Sequence, residues 1–181
     1  IYADMTTDGG GWTLILCNKS PNNGWTSAQS VLRNEFSPTI NPTNGSSDSY
    51  SIIAWADYIK KSSTGFQYML DALTRRSNGG IWTVNQNYSF VSRVNTNTDI
   101  TLNTKFGNWN YVSEDGIMQR MPWYSNTTGS GTGYITLASG TGNWWGTMVS
   151  NNQYYSPSPW LSDANGGTNN PNPGIIWYWV R

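Results

Sequence analysis

The residue types on which most enzymes depend are scarce in this chain. Its 181 residues include no histidine, one cysteine (Cys17) and only ten acidic side chains. Without histidine, Ser-His-Asp catalysis, Cys-His catalysis and His-ligated zinc are all excluded. A glycosidase needs two carboxylates that face each other across a cleft, whereas Glu114 and Asp115 are adjacent and would point apart on a strand or lie in an exposed turn. The sequence therefore predicts that the protein is not an enzyme.

Residue types suited to binding are abundant instead. Aromatic residues make up 14% of the chain and charged residues only 11%. A surface of amides and hydroxyls is typical of proteins that face the outside of the cell and bind neutral partners such as sugars. The formal net charge is zero, and Lys and Arg form no basic patch, so nucleic acid is not an expected partner. No apolar run approaches the roughly 18 residues of a membrane span, so membrane insertion is not expected either.

Aromatic and amide side chains are densest between residues 144 and 160. Proteins bind sugars with aromatic rings against the C–H faces and with a few amide or hydroxyl groups. At least one of Trp144 and Trp145 is expected in the core, because adjacent strand residues face opposite sides. The predicted ligand-binding residues are Trp145, Asn151, Asn152, Tyr154, Tyr155 and Trp160.

The N-terminal half predicts a tight turn, a strand and then helices. The polar and glycine residues from Thr6 to Gly11 favour a sharp chain reversal. The run Trp12–Cys17 predicts a strand buried on both faces, with Cys17 as a small buried apolar residue. In the helix predicted over Ser51–Lys61, Ile52, Trp55 and Ile59 would lie near one face. The three helices are predicted over Thr26–Phe36, Ser51–Lys61 and Gln67–Arg76, the last closed by Asn78-Gly79-Gly80.

The remainder predicts strands. The apolar terminal run, Gly174–Arg181, is expected to be a central strand that pairs with the opening strand. Helices first and strands later indicate an α+β fold: a single compact domain with short N-terminal helices, a mainly antiparallel twisted sheet and a loop-rich C-terminal third. The other predicted strands are Ile81–Val84, Tyr88–Val94, Asp99–Leu102, Phe106–Val112, Tyr134–Ala138 and Trp145–Val149.

The opening run resembles a known family. Asp4-Met5, followed by Thr7-Asp8-Gly9-Gly10-Gly11-Trp12-Thr13, is similar to the start of the fibrinogen C-terminal-like domain, the family of ficolins and tachylectin-like lectins. A weaker similarity lies at Gly142-Asn143-Trp144-Trp145 and at Ser150–Tyr155. The resemblance implies a fibrinogen-like domain over residues 1–181, with a ligand pocket in its C-terminal third. Ala3 stands where the family has its first cysteine, so the family's disulfides cannot form here.

The same resemblance raises the question of calcium. The family places a calcium loop with closely spaced aspartates before its Trp-Trp pair, whereas residues 125–142 of this chain contain no acid. A substitute is conceivable where Asp163, Asn165 and backbone carbonyls surround a glycine turn, because calcium takes oxygen ligands. The alternative is an Asx-rich loop that caps itself. Calcium is therefore a candidate cofactor, with Asp163 and Asn165 as candidate ligands.

The sequence as a whole predicts an extracellular adhesin or lectin-like head that recognises glycans or glycoconjugates on another cell surface. A single shallow sugar site binds weakly, and presenting several copies multiplies the apparent affinity. We therefore expect the C-terminal module of a longer protein, assembled as a homotrimer through an upstream stalk. The alternative is a structural or protein-binding module of a surface fibre, because aromatic residues are also enriched at protein interfaces.

Overall fold

A computed structural model of the chain describes residues 1–19, 50–52, 55–62, 64–72, 74–88, 99–107, 123–124, 135–136, 161–162, 169–170 and 175–181. Within them, one antiparallel sheet of seven strands dominates. Its strands are β1 (Ala3–Asp4), β2 (Trp12–Lys19), β3 (Tyr50–Ser51), β4 (Gln67–Ala72), β5 (Asn78–Val84), β6 (Ile100–Phe106) and β11 (Ile175–Val180). The two shorter pairs are β7 (Trp123–Tyr124) with β8 (Ile135–Thr136), and β9 (Leu161–Ser162) with β10 (Asn169–Asn170).

The central strand of the sheet is β11. The spatial order is β1-β2-β11-β4-β5-β6, with β3 beside β2. Trp177 of β11 lies opposite Cys17 of β2 on one side and opposite Asp71 of β4 on the other. The predicted pairing of the terminal strand with the opening strand is therefore confirmed, and it brings residues 12–19 beside residues 175–180.

Both faces of this sheet are buried at its central strands β2, β11 and β4. A bulge in β2, where the register with β11 shifts between Tyr178 and Trp179, places Leu14 and Cys17 on the same face. Cys17 is fully buried, as predicted. Burial on both faces explains why β2 and β11 are apolar without polar alternation. The first face consists mainly of Ile15, Leu16, Phe66, Tyr68, Leu70, Trp82, Val84, Tyr88 and Tyr178. The second face consists of Trp12, Leu14, Cys17, Met69, Ile81, Phe106, Trp177 and Trp179.

The predicted α+β class with short N-terminal helices is wrong for the described residues, which are mostly strand with almost no helix. The helix expected over Gln67–Arg76 is instead strand β4 followed by a turn, and its expected C-terminal stop opens β5. Tyr68 and Leu70 pack on the first face while Met69 packs on the second. Pairing on both sides of β4 therefore overrides the helix propensity of its residues.

The helix expected over Ser51–Lys61 is much shorter in the structure. Residues 50–51 form β3, and the helix, α1, comprises only Ala56–Ile59. Trp55 precedes α1 and is 59% exposed, whereas Ile52 and Ile59 pack against the core, so the predicted common face of these three residues is wrong. Ala56 is fully buried. The spacing of Ile52, Trp55 and Ile59 does not place them on one helix face because the helix begins after Trp55.

The later strand predictions have mixed outcomes. Ile81–Val84 is confirmed within β5, and Asp99–Leu102 overlaps β6, which begins at Ile100. Tyr134–Ala138 contains β8. Phe106 ends β6 instead of opening a strand, and Tyr88 is not in a strand. Residues 26–36, 89–94, 108–112 and 145–149 lie outside the described residues.

Candidate functional site

The glycine turn, residues Asp4–Gly11, is organised by one carboxylate. Asp4 Oδ1 accepts hydrogen bonds from the backbone N–H groups of Thr6 (3.0 Å) and Thr7 (2.9 Å). Burial alone would oppose ionisation of Asp4, but hydrogen bonds from Thr7, Thr6 and Arg75 outweigh it, so the pKa of Asp4 lies well below its usual value. A Cβ at Gly10, where φ is +75°, would lie 2.2 Å from the carbonyl oxygen of Met5. Glycine is therefore required there by space as well as by conformation.

Arg181 joins this turn to the sheet. Its guanidinium carbon lies 4.1 Å from the centre of the Trp12 ring. Nη1 donates to the carbonyl oxygens of Asp8 and Gly10, each at 2.8 Å, and Nε donates to Gln67 Oε1, also at 2.8 Å. The backbone of Arg181 exchanges two further hydrogen bonds with Gln67. The guanidinium is consequently fixed in position, and its hydrogen-bond acceptors are neutral oxygens.

Arg75 is held by carboxylates. Its Nε donates to Asp71 Oδ2, its Nη2 donates to Asp4 Oδ2 at 3.1 Å, and its guanidinium lies over Trp179 at 4.6 Å. Asp71 is fully buried and also accepts the backbone N–H of Arg76. Burial raises the pKa of Asp71, and the two arginines act against that shift. The pair with Asp71 connects β4 to the turn that follows it, and the pair with Asp4 ties that turn to the glycine turn.

Arg76 makes a similar but more exposed connection. Its Nη2 donates to Asp8 Oδ1 at 3.0 Å, and its guanidinium lies 4.9 Å from the centre of the Phe106 ring. Because both partners are partly exposed, this ion pair contributes little to stability. It adds a second link between the β4–β5 turn and the glycine turn.

Helix α1 is fixed to the sheet by Lys60. Its Nζ donates to Asp57 Oδ1 at 2.8 Å and to the carbonyl oxygen of Tyr88, and it lies over the Phe66 ring at 5.2 Å. Only 7% of this lysine side chain is exposed. A helix of four residues has little stability of its own, so this buried anchor determines where α1 lies.

An exposed aromatic pair lies at the start of α1. Trp55 is 59% exposed and Tyr58 is 82% exposed. Their ring centroids are 6.0 Å apart, with 51° between the ring planes. The pair offers two apolar ring faces and a phenol hydroxyl to a ligand in solvent.

A cleft of about 600 Å³ adjoins the same helix. Ile59 ends α1 and Lys61 follows it, and both line the cleft, together with Gly11, Gly65, Gln67 and Arg181. A Cβ at Gly11 or at Gly65 would meet no other atom within 4 Å. The volume falls in the range of small-ligand pockets, roughly 300 to 1,000 Å³. Among the lining residues that the structure describes, the polar side chains are two cations and one amide.

The ligand-binding and metal-binding residues predicted from the sequence lie outside the described residues. These are Trp145, Asn151, Asn152, Tyr154, Tyr155 and Trp160 for the ligand, and Asp163 and Asn165 for calcium. Within the described parts of the chain, no three His, Cys, Asp or Glu side chains come together where they could bind a metal ion. The described residues also contain no helix long and apolar enough to cross a membrane.

The cleft and the aromatic pair were missed by the sequence reasoning. The sequence predicts Lys61 as the last residue of the helix Ser51–Lys61, and Trp55 near one face of that helix with Ile52 and Ile59. The exposure of Trp55 follows from the start of α1 at Ala56, which the spacing of apolar residues does not reveal. Arg181 reaches the cleft because β11 pairs with β4, and no local sequence pattern encodes that proximity.

Comparison of the chain with protein-family models, with curated proteins and with solved structures finds no match in any of the three.

Proposed function

We propose that this protein is an extracellular adhesin or lectin-like head that recognises glycans on another cell surface, and that Trp55, Tyr58 and the adjoining cleft bind the sugar. The observation that carries the proposal is the exposed aromatic pair at the start of α1, the helix whose last residue, Ile59, lines a cleft of ligand size. Aromatic rings bind the C–H faces of sugars, and polar groups such as the Gln67 amide bind hydroxyls. The short helix α1 would present both rings on a support fixed by Lys60.

The resemblance of residues 4–13 to the opening of fibrinogen C-terminal-like domains supports the same proposal, because that family includes lectins. In this proposal residues 1–181 form one fibrinogen-like domain. The head would act as a trimer on an upstream stalk, because a single site of this kind binds weakly. Linking sites can raise apparent affinity by about 10² to 10⁴ without new contacts.

The test is a glycan array on which the chain is displayed as a trimer by fusion to a trimeric scaffold. Trp55→Ala and Tyr58→Ala should each lower binding about fivefold, because each removes a stacked ring worth about 1 kcal/mol. Tyr58→Phe is the matched control: it keeps the ring face and should retain most of the binding. Both positions are exposed, so the urea unfolding midpoints of all variants should match that of the parent chain.

One outcome would overturn the placement of the site. Binding that survives both alanine variants but is lost with Trp160→Ala would move the site to residues 144–160. Running the array with calcium and again with a chelator tests the candidate calcium ligands Asp163 and Asn165.

The second candidate function is a structural or protein-binding module of a surface fibre. The same exposed pair favours it, because Trp and Tyr are enriched at protein interfaces. The array distinguishes the two functions: silence across all glycans, in the trimeric format and with calcium present, would reject the lectin and support the protein-binding module.

A further inference from the structure

The cleft beside α1 differs in charge from the neutral chain as a whole. Lys61 and Arg181 line it, and the lining residues that the structure describes include no acidic side chain. Lys61 is exposed and Arg181 is half-buried. The composition predicted neutral partners, but this surface concentrates two positive charges at one ligand-sized opening.

The other cations around the site are neutralised by carboxylates. Lys60 is paired with Asp57, and Arg75 and Arg76 are paired with aspartates of the glycine turn and β4. Within the described part of the chain, neither Lys61 nor Arg181 takes part in an ion pair of this kind. Their charges are thus available to a ligand in the cleft.

Arg181 is also preorganised for an anion. Stacking on Trp12 at 4.1 Å and the bonds from Nη1 to the carbonyl oxygens of Asp8 and Gly10 fix the plane of the guanidinium. A guanidinium that is already oriented loses little entropy when it binds a carboxylate or a sulfate. Hydrogen bonds between charged groups are about twice as strong as those between neutral groups.

We infer that the cleft selects acidic glycans, in which a carboxylate or a sulfate group binds between Lys61 and Arg181 while the sugar ring stacks on the aromatic pair. This inference rests on the proposed function and specifies its ligand class. Carboxylate and sulfate share the required chemistry, a compact anion with several acceptor oxygens. Comparing carboxylated with sulfated oligosaccharides distinguishes the two groups.

The test uses sets of immobilised oligosaccharides that share one backbone and differ only in being neutral, carboxylated or sulfated, for example lactose, O-carboxymethyl lactose and O-sulfo lactose, probed with the trimeric chain. The acidic members should bind at least about tenfold more tightly than the neutral member. Their advantage should shrink as salt rises from 50 to 500 mM, because exposed charges are screened over roughly 8 Å or less at and above physiological salt. A preference for the carboxylated over the sulfated member would identify carboxylate as the recognised group, and the reverse would identify sulfate.

Lys61→Gln is the decisive variant because Lys61 is exposed, so its replacement should not affect folding. It should lower binding of the acidic glycans about fivefold and lower binding of the neutral member by a smaller factor. Lys61→Glu should lower acidic binding further. Lys105→Gln, which removes an exposed lysine on β6 that does not line the cleft, is the matched control and should bind like the parent.

The outcomes separate the inference from the proposed function. Equal binding of neutral and acidic members, or equal behaviour of Lys61→Gln and Lys105→Gln, would overturn the acidic-glycan inference and leave the lectin intact. Failure to bind any member of any set would reject both.

Discussion

Arg75 and Arg181 both contact the glycine turn, but they are bound in opposite ways. Each guanidinium lies over a tryptophan ring of the second core face, Trp179 for Arg75 and Trp12 for Arg181. Arg75 donates to two carboxylates, one of them fully buried, whereas Arg181 donates to an amide oxygen and two backbone carbonyls. The two environments share an aromatic support and differ in the charge of the acceptors.

This difference assigns different roles to one residue type. An arginine paired with a buried carboxylate is needed for stability, because removing it leaves an uncompensated charge in the core. An arginine held by neutral oxygens retains its net charge and can present it to a ligand. The charge of the acceptors, more than the aromatic stacking, therefore separates a structural arginine from a binding arginine in this fold.

Arg75→Met should have the largest effect on stability. The variant keeps an apolar side chain over Trp179 but leaves the buried Asp71 carboxylate without its guanidinium, and we expect a loss of about 4 kcal/mol in the free energy of unfolding at pH 7. Urea denaturation followed by tryptophan fluorescence measures it. A loss below about 1 kcal/mol would contradict the structural role of this pair.

The pH dependence of Arg75→Met provides an internal control. Burial holds the pKa of Asp71 above its usual value in the folded protein, and loss of Arg75 should raise that pKa further. A carboxyl whose folded pKa exceeds its unfolded pKa binds its proton more tightly when folded, so stability increases as pH falls through that window. The loss in free energy of unfolding of Arg75→Met, relative to the parent chain, should therefore become smaller as the pH falls from 7 to 4. Adding Asp71→Asn should recover part of it at pH 7.

Gly10→Ala tests the backbone that binds Arg181. The added Cβ would lie 2.2 Å from the carbonyl oxygen of Met5 at a residue with positive φ, and we expect a loss of about 3 kcal/mol from backbone strain and overpacking together. Gly11→Ala is the matched control, because Gly11 also has positive φ but its Cβ would meet no other atom within 4 Å. It should cost only about 1 kcal/mol. Equal losses in the two variants would show that conformation alone, without crowding, determines the glycine sequence of this turn.

Some of this architecture could be predicted from the sequence. The glycine turn, the buried strand β2 and the central strand β11 have local signals, because successive glycines tolerate positive φ and strands buried on both faces are apolar throughout. The pairing of β2 with β11 followed from two such runs at opposite ends of the chain. These elements agree between sequence and structure because each depends on short-range composition.

Strand β4 shows why the rest could not be predicted. Its residues include good helix formers, and the spacing of Asp71 and Arg75 matches an i, i+4 ion pair on a helix. In the structure the same pair instead connects a strand to the turn that follows it. The candidate site is less predictable still, because Gly11, Lys61 and Arg181 meet only through the pairing of strands that are far apart in the sequence.

Arg181→Met should have a smaller effect on stability than Arg75→Met or Gly10→Ala and a distinct effect on binding. Its lost hydrogen bonds leave neutral oxygens in a half-exposed place where water can replace the donor, so we expect about 1 kcal/mol by urea denaturation. The variant should weaken binding of acidic glycans while Arg75→Met, at a temperature where it remains folded, should not. A larger loss of stability for Arg75→Met together with a larger loss of binding for Arg181→Met would assign a structural role to Arg75 and a binding role to Arg181. If Arg181→Met cost as much stability as Arg75→Met, the charge of the acceptors would not be what distinguishes them.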